Sequence, residues 1–100
     1  MHDWDRFVGF NWDSGNSSKS EIKHRVTRKE AEELFFNEPL LIAEDVGHSD
    51  GERRFQAMGR TNAGRLLFAA FTLREAGTLI RVISLRDMKA KERHRYAEKA

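Results

Sequence analysis

The densest apolar pattern in the chain lies at residues 78–85, where Leu79, Ile80, Val82, Ile83 and Leu85 predict a strand covered on both faces. In a regular two-residue repeat its two arginines, Arg81 and Arg86, fall on opposite faces. They can serve one site only if the strand ends or bulges before Arg86. Asp87 then reads as an N-cap, and residues 88–99 contain nothing that breaks a helix.

Earlier in the chain, residues 7–12 predict a short first strand and residues 13–18 a turn. Ser18 and Glu21 form a capping box for a short helix that ends near Lys23 and His24, where cations face the terminal carbonyls. A second capping box, Thr27 with Glu30, starts a better helix lined by Ala31, Leu34 and Phe35 and stopped by Pro39. Residues 40–43, 53–60 and 65–73 predict further strands, with a polar loop over 44–52 and turns at 61–64 and 75–77. The order predicts one α+β domain over residues 1–100: a small, mostly antiparallel sheet with two N-terminal helices and a C-terminal helix.

A chain of 100 residues can bury about two-thirds of its unfolded surface and fold without staples. It contains no cysteine, which removes disulfides and thiolate metal sites and fits a reducing cytoplasm. No apolar run approaches the length that spans a bilayer, and the N-terminus carries acids where a signal peptide carries bases, so a cytoplasmic protein without membrane contact is expected. The net charge of +2 conceals an asymmetry: residues 1–50 hold eleven acids and six bases, and residues 51–100 hold five acids and twelve bases. The halves thus carry −5 and +7, and a concentrated basic surface in a small domain suits a polyanion, RNA or DNA first among them.

Arginine dominates that basic half: Arg53, Arg54, Arg60, Arg65, Arg74, Arg81 and Arg86 face only one lysine, Lys89, over the same span. Each guanidinium is permanently charged and forked, so several on one sheet can clamp a phosphodiester and steady the charge of a phosphorane. Cleavage of RNA also needs groups that exchange a proton near neutral pH. His24, His48, His94, Tyr96 or a lysine with a lowered pKa are the candidates, and the residue types do not choose among them. The same arginines would equally serve a non-catalytic RNA- or ribosome-binding module, or a surface for an acidic helix of a protein partner. Asp45, His48, Asp50 and Glu52 share a loop, but their spacing matches no calcium loop and a lone histidine among acids is a poor zinc site. No metal and no cofactor is expected.

Several phrases, in order, resemble the BrnT family of toxins from bacterial type II toxin–antitoxin systems. They are FNWD at 10–13, KH at 23–24, HSDGERRF at 48–55, GR at 59–60, GRLLF at 64–68 and RVIS at 81–84, followed by Arg86, Glu92, Arg93 and Tyr96. The resemblance implies a RelE-like fold and an endoribonuclease that slows translation. It also implies inhibition by a BrnA-like antitoxin whose ribbon-helix-helix domain binds DNA, so that the toxin meets DNA only through the complex. On that basis Lys23, His24, Arg60, Arg81 and Arg86 are the expected catalytic residues. Trp12, Arg53, Lys89, Arg93 and Tyr96 are the expected RNA contacts, with Tyr96 able to stack on a base. Asn16, Ser20, Arg25 and Asp87 depart from the family pattern, Arg25 standing where a glycine usually follows the histidine.

Overall fold

The structure, a computed structural model, describes residues 9–12, 25–45, 47, 53–74 and 78–99. They form β1 (Gly9–Phe10), α1 (Arg28–Phe36), β2 (Leu41–Glu44), β3 (Arg54–Arg60), β4 (Leu66–Arg74), β5 (Leu79–Asp87) and α2 (Ala90–Lys99). The five strands make one sheet in the order β1-β5-β4-β3-β2. Short connections make β2 to β5 an antiparallel meander, whereas β1 enters beside β5 in the parallel sense.

The α+β class and the mostly antiparallel sheet match the expectation from sequence, but the helix count differs. Described residues hold one helix before the meander and one after it, and residues 18–24, expected to form another, lie outside them. Of the expected strand 7–12, the described residues 9–12 hold the two-residue strand β1 and residues 7–8 lie outside them, while β5 runs two residues further than the expected 78–85.

Alternation along the strands sends side chains to two faces, and among the described residues one helix packs on each. On the first, Phe55 and Ala57 of β3, Leu67, Ala69 and Phe71 of β4, and Ile80, Val82 and Leu85 of β5 are buried against Ala31 and Leu34 of α1. The capping box of α1 forms as expected: Glu30 N donates to Thr27 Oγ1 at 3.1 Å, and Thr27 N donates to a Glu30 carboxylate oxygen at 3.0 Å. Its far end is pinned to the β3–β4 turn, where Asn37 Nδ2 donates to the Arg60 carbonyl and Asn62 N donates to Glu33, at 2.9 and 3.0 Å. Gly59 lets α1 approach so closely, because a Cβ there would lie 2.9 Å from the Leu34 carbonyl oxygen.

On the second face α2 covers only one end of the sheet, packing Met88 and Tyr96 on Met58 with Leu41, Leu66 and Phe68 around them. Asp87 does not cap this helix. It remains in β5, and its carboxylate takes two hydrogen bonds from Arg65 at 2.7 and 3.0 Å. The helix starts three residues later, with Lys89 N donating to the Glu92 carboxylate at 2.8 Å. No described helix is long and apolar enough to cross a membrane.

Candidate functional site

The face that each arginine of β5 occupies is set by a bulge. Ala70 of β4 lies opposite Ser84 and the next residue, Phe71, lies opposite Val82, so Ile83 has no partner. The extra residue reverses the alternation between Val82 and Ser84. Arg81 lies opposite Thr72 and Arg86 opposite Phe68, both even positions of β4, so the two arginines share the second face of the sheet. Met58 and Arg60 of β3, opposite Phe68 and Leu66, belong to that face as well. Three expected catalytic residues, Arg60, Arg81 and Arg86, are thereby brought to one surface. Thr72 and Phe68 are four residues apart on β4, so Arg81 and Arg86 stand roughly 13 Å apart along the strand direction.

Arg86 is held from two sides. Its Cζ lies 4.3 Å from the centre of the Phe68 ring. Its Nη1 and Nη2 donate to the two carboxylate oxygens of Glu92 at 2.7 and 2.9 Å. This fork lowers the Glu92 pKa against the opposing effect of its partial burial, and it raises that of Arg86. Next to the pair opens a groove of about 680 Å³ between β2 and α2, with Leu41, Met58 and Phe68 among its lining and Arg95 and Lys99 at its helical side. Arg81 is anchored separately: its Nη1 donates to Asn11 Oδ1 at 3.2 Å, on the chain just beyond β1.

Tyr96 occupies a packing position. It is 5% exposed, and its hydroxyl donates to the Pro39 carbonyl at 2.5 Å, so the ring is enclosed rather than offered to a base. Burial raises the Tyr96 pKa, with nearby Arg60 pulling the other way. Trp12 lies on the α1 side, stacked on Phe10 and donating from Nε1 to Glu32 at 2.9 Å, with Arg28 5.3 Å from its ring. Arg53 also sits away from the arginine face: it pairs with Glu44 at 2.6 Å and lies over Phe55. Lys89 and Arg93 are exposed at the start of α2, Arg93 donating to the Met88 carbonyl at 2.8 Å. His94 is exposed on the same helix, 3.4 Å from Glu98. Lys23, His24 and His48 lie outside the described residues.

Arg65, counted with the others in the sequence, is a structural tie. It joins Asp87, Glu30 and the Arg25 carbonyl, which links the end of β5 to the start of α1. Its bonds to Asp87 and Glu30 raise its own pKa, and with Thr27 it outweighs the burial that would raise that of Glu30. Three supporting residues were given no role by residue type alone: Asn11, Phe68 and Glu92. Each acts on an arginine from another element, a relation that needs the register to be seen.

Chemically, the surface offers fixed guanidinium forks on an otherwise apolar and hydroxyl-bearing sheet, which suits a phosphodiester more than a carbonyl substrate. Among the described residues no group of three or more His, Cys, Asp or Glu is placed to hold a metal ion. The family model described as the ribonuclease toxin BrnT of type II toxin–antitoxin systems matches residues 12–92. Comparison with curated proteins gives no match.

Proposed function

Because the chain belongs to the BrnT family of type II toxin–antitoxin ribonuclease toxins, we propose that it is an endoribonuclease whose RNA lies on the arginine face of the sheet. The observation that carries this reading is the bulge at Ile83, which turns Arg86 to the same side as Arg60 and Arg81. A base removes the proton of the 2′-hydroxyl, the oxygen attacks phosphorus, and the 5′-oxygen departs with a proton from an acid. The products carry a 2′,3′-cyclic phosphate and a 5′-hydroxyl.

In this reading Arg86 and Arg60 hold the reacting phosphate and stabilise the phosphorane. Phe68 and Glu92 fix the Arg86 fork before substrate arrives, which limits the reorganisation needed in the transition state. Arg81, too far along the strand for the same phosphate, holds a neighbouring one. Lys23 and His24, next to one another in sequence, are the candidates for proton transfer. Arginine supplies the charge stabilisation that a metal would otherwise provide, so the proposed cleavage is metal-independent.

Membership of a type II system implies a protein antitoxin. We assign that role to a BrnA-like protein with a ribbon-helix-helix domain, through which alone the complex meets DNA. We also place the protein in the cytoplasm, give its action as inhibition of translation, and class its fold as RelE-like. The test is incubation of the purified chain with RNA in EDTA. Fragments ending in a 2′,3′-cyclic phosphate support the reading, as does loss of cutting in folded Arg81→Ala and Arg86→Ala variants. Intact RNA at high protein concentration would sink it and leave a non-catalytic RNA- or ribosome-binding module.

A further inference from the structure

The hollow beside Arg86 follows from the strand register. Arg86, Phe68, Met58 and Leu41 lie opposite one another in a row across β5, β4, β3 and β2, and α2 packs on this row at Met58. The next row on the same face is Ser84, Ala70, Gln56 and Ala43, small side chains except for the glutamine, so the floor drops where the helix no longer covers it. There lies the groove of about 680 Å³, which runs from Arg86 toward the edge strand β2, roughly 14 Å away across three strand spacings.

Charge and polarity along the groove suit an anion that also carries a hydrogen-bonding edge. The helical wall holds Glu92, Arg95 and Lys99, one face of α2 at helical spacing. Glu92 is taken by Arg86 and the Lys89 amide. Arg95 and Lys99 are exposed and make no hydrogen bond or ion pair among the described residues. Among the described lining residues Gln56 alone is neutral and polar. Its Nε2 donates to Asp45 Oδ2 at 3.1 Å, and a carboxylate only accepts, so the amide orientation is fixed and its oxygen is left to accept from a donor that enters the groove.

Resting on the reading that this face holds RNA, we propose that the groove binds one unstacked nucleobase next to the reacting phosphate at Arg86. Gln56 accepts from the exocyclic amine of that base, and Arg95 with Lys99 holds the phosphate on the far side of the nucleotide. Single-stranded RNA is read in this way, by splaying a base out of the stack and hydrogen-bonding its edge. Size favours a nucleotide over a helix of a protein partner: clefts of roughly 300–1,000 Å³ hold single small molecules, whereas a helix with its side chains is about 10–12 Å across and little more than one turn would fill the volume. Adenine, cytosine and guanine carry the amine, whereas uracil shows carbonyl oxygens on either side of its single N–H. The pocket therefore sets which base flanks the cut.

The test uses the full chain and short 2′-O-methyl oligonucleotides, which cannot be cleaved by 2′-hydroxyl attack, with the base removed at each position in turn. One position should lose affinity by about 10-fold or more, and it should adjoin the linkage cut in the corresponding RNA. An adenine at that position, exchanged for purine, loses only its amine and should bind about 5- to 10-fold more weakly, the scale of one hydrogen bond. Gln56→Leu should no longer distinguish the two oligonucleotides. Ala43→Phe, which fills the groove from the exposed edge strand, should bind the intact and the abasic oligonucleotide alike. Arg95→Gln with Lys99→Gln should weaken every oligonucleotide and lower the dependence of log K on log salt by about 0.7, one phosphate of a single strand.

A scan with no base-sensitive position overturns the pocket, as does a folded Gln56→Leu chain that still separates adenine from purine. So do groove variants that bind RNA normally and lose only their hold on a co-expressed antitoxin, which makes the groove a protein interface. If the unaltered chain leaves RNA uncut yet shows the base-sensitive position, cleavage falls and the pocket stands. If it cuts RNA but shows no such position, the pocket falls and cleavage stands.

Discussion

Replacing Glu92 by glutamine removes one charge and little volume, and it isolates what holds Arg86 in place. The wild-type carboxylate takes both guanidinium nitrogens, at 2.7 and 2.9 Å, as well as the Lys89 amide at 2.8 Å. The amide of glutamine keeps one acceptor for these donors and turns a donor toward the other Arg86 nitrogen. Side-chain exposure is 27% for Arg86 and 18% for Glu92, so solvent screens the pair only in part. A hydrogen bond between charged groups is worth roughly 1.5–3 kcal/mol, and partial exposure brings the expected loss to about 1–2 kcal/mol. In a domain of this length each kcal/mol shifts the melting temperature by about 4–8 °C.

The pH dependence gives the sharper check. Glu92 has a folded pKa below its ordinary value, chiefly through the Arg86 hydrogen bonds and against burial. Its contribution is therefore present above the unfolded pKa and disappears as pH falls through the folded one. Urea unfolding of both chains should show the full difference at pH 7. The difference should shrink toward zero in acid, where the wild-type carboxyl is protonated and resembles the amide. Equal stability at pH 7, or a difference that does not change with pH, would refute the assigned role of the fork.

Other substitutions test other joints. Gly59→Ala places a Cβ 2.9 Å from the Leu34 carbonyl and 3.0 Å from Leu34 Cγ, so α1 must move outward; a loss of about 1–3 kcal/mol is expected in urea titration. Arg25 adopts φ 54°, a left-handed conformation that costs a side-chain-bearing residue roughly 1–2 kcal/mol. Against the greater freedom of glycine in the unfolded chain, Arg25→Gly should still gain about 0.5–1 kcal/mol, read as a higher melting temperature. Arg86→Lys keeps the charge but loses the fork, and single-turnover cleavage should slow about 100-fold or more while the chain stays folded.

The meander and both helices were legible because capping residues, turns and apolar runs act locally. Thr27 with Glu30 announced α1, and Pro39 its end. Asp87 misled, because an aspartate before a helical stretch resembles a cap, whereas here Arg65, distant in sequence, claims its carboxylate. Trp12 and Tyr96 are RNA contacts expected from the family resemblance; the fold holds Trp12 to Glu32 on the α1 side and buries Tyr96 with its hydroxyl on the Pro39 carbonyl, relations that residue type does not reveal. The arginines were visible as a group, while their division into Arg65 and Arg53 on one side and Arg60, Arg81 and Arg86 on the other depends on register. The left-handed conformation of Arg25 gives a physical cause for the glycine that the family resemblance leads one to expect at that position.

The unpaired residue in β5 makes sidedness a question of counting. Beyond Val82, whether a side chain points toward α1 or toward the arginine surface depends on whether residue 83 is counted in the ladder or bulges out of it. A single deletion at position 83 would remove the bulge and leave Arg86 on its own surface, whereas keeping residue 83 in a regular ladder would turn Arg86 inward, exchanging it with Leu85 for a place under α1. Chains aligned only by matching residue types across positions 82–84 can thus look identical at the site and differ in which way it faces.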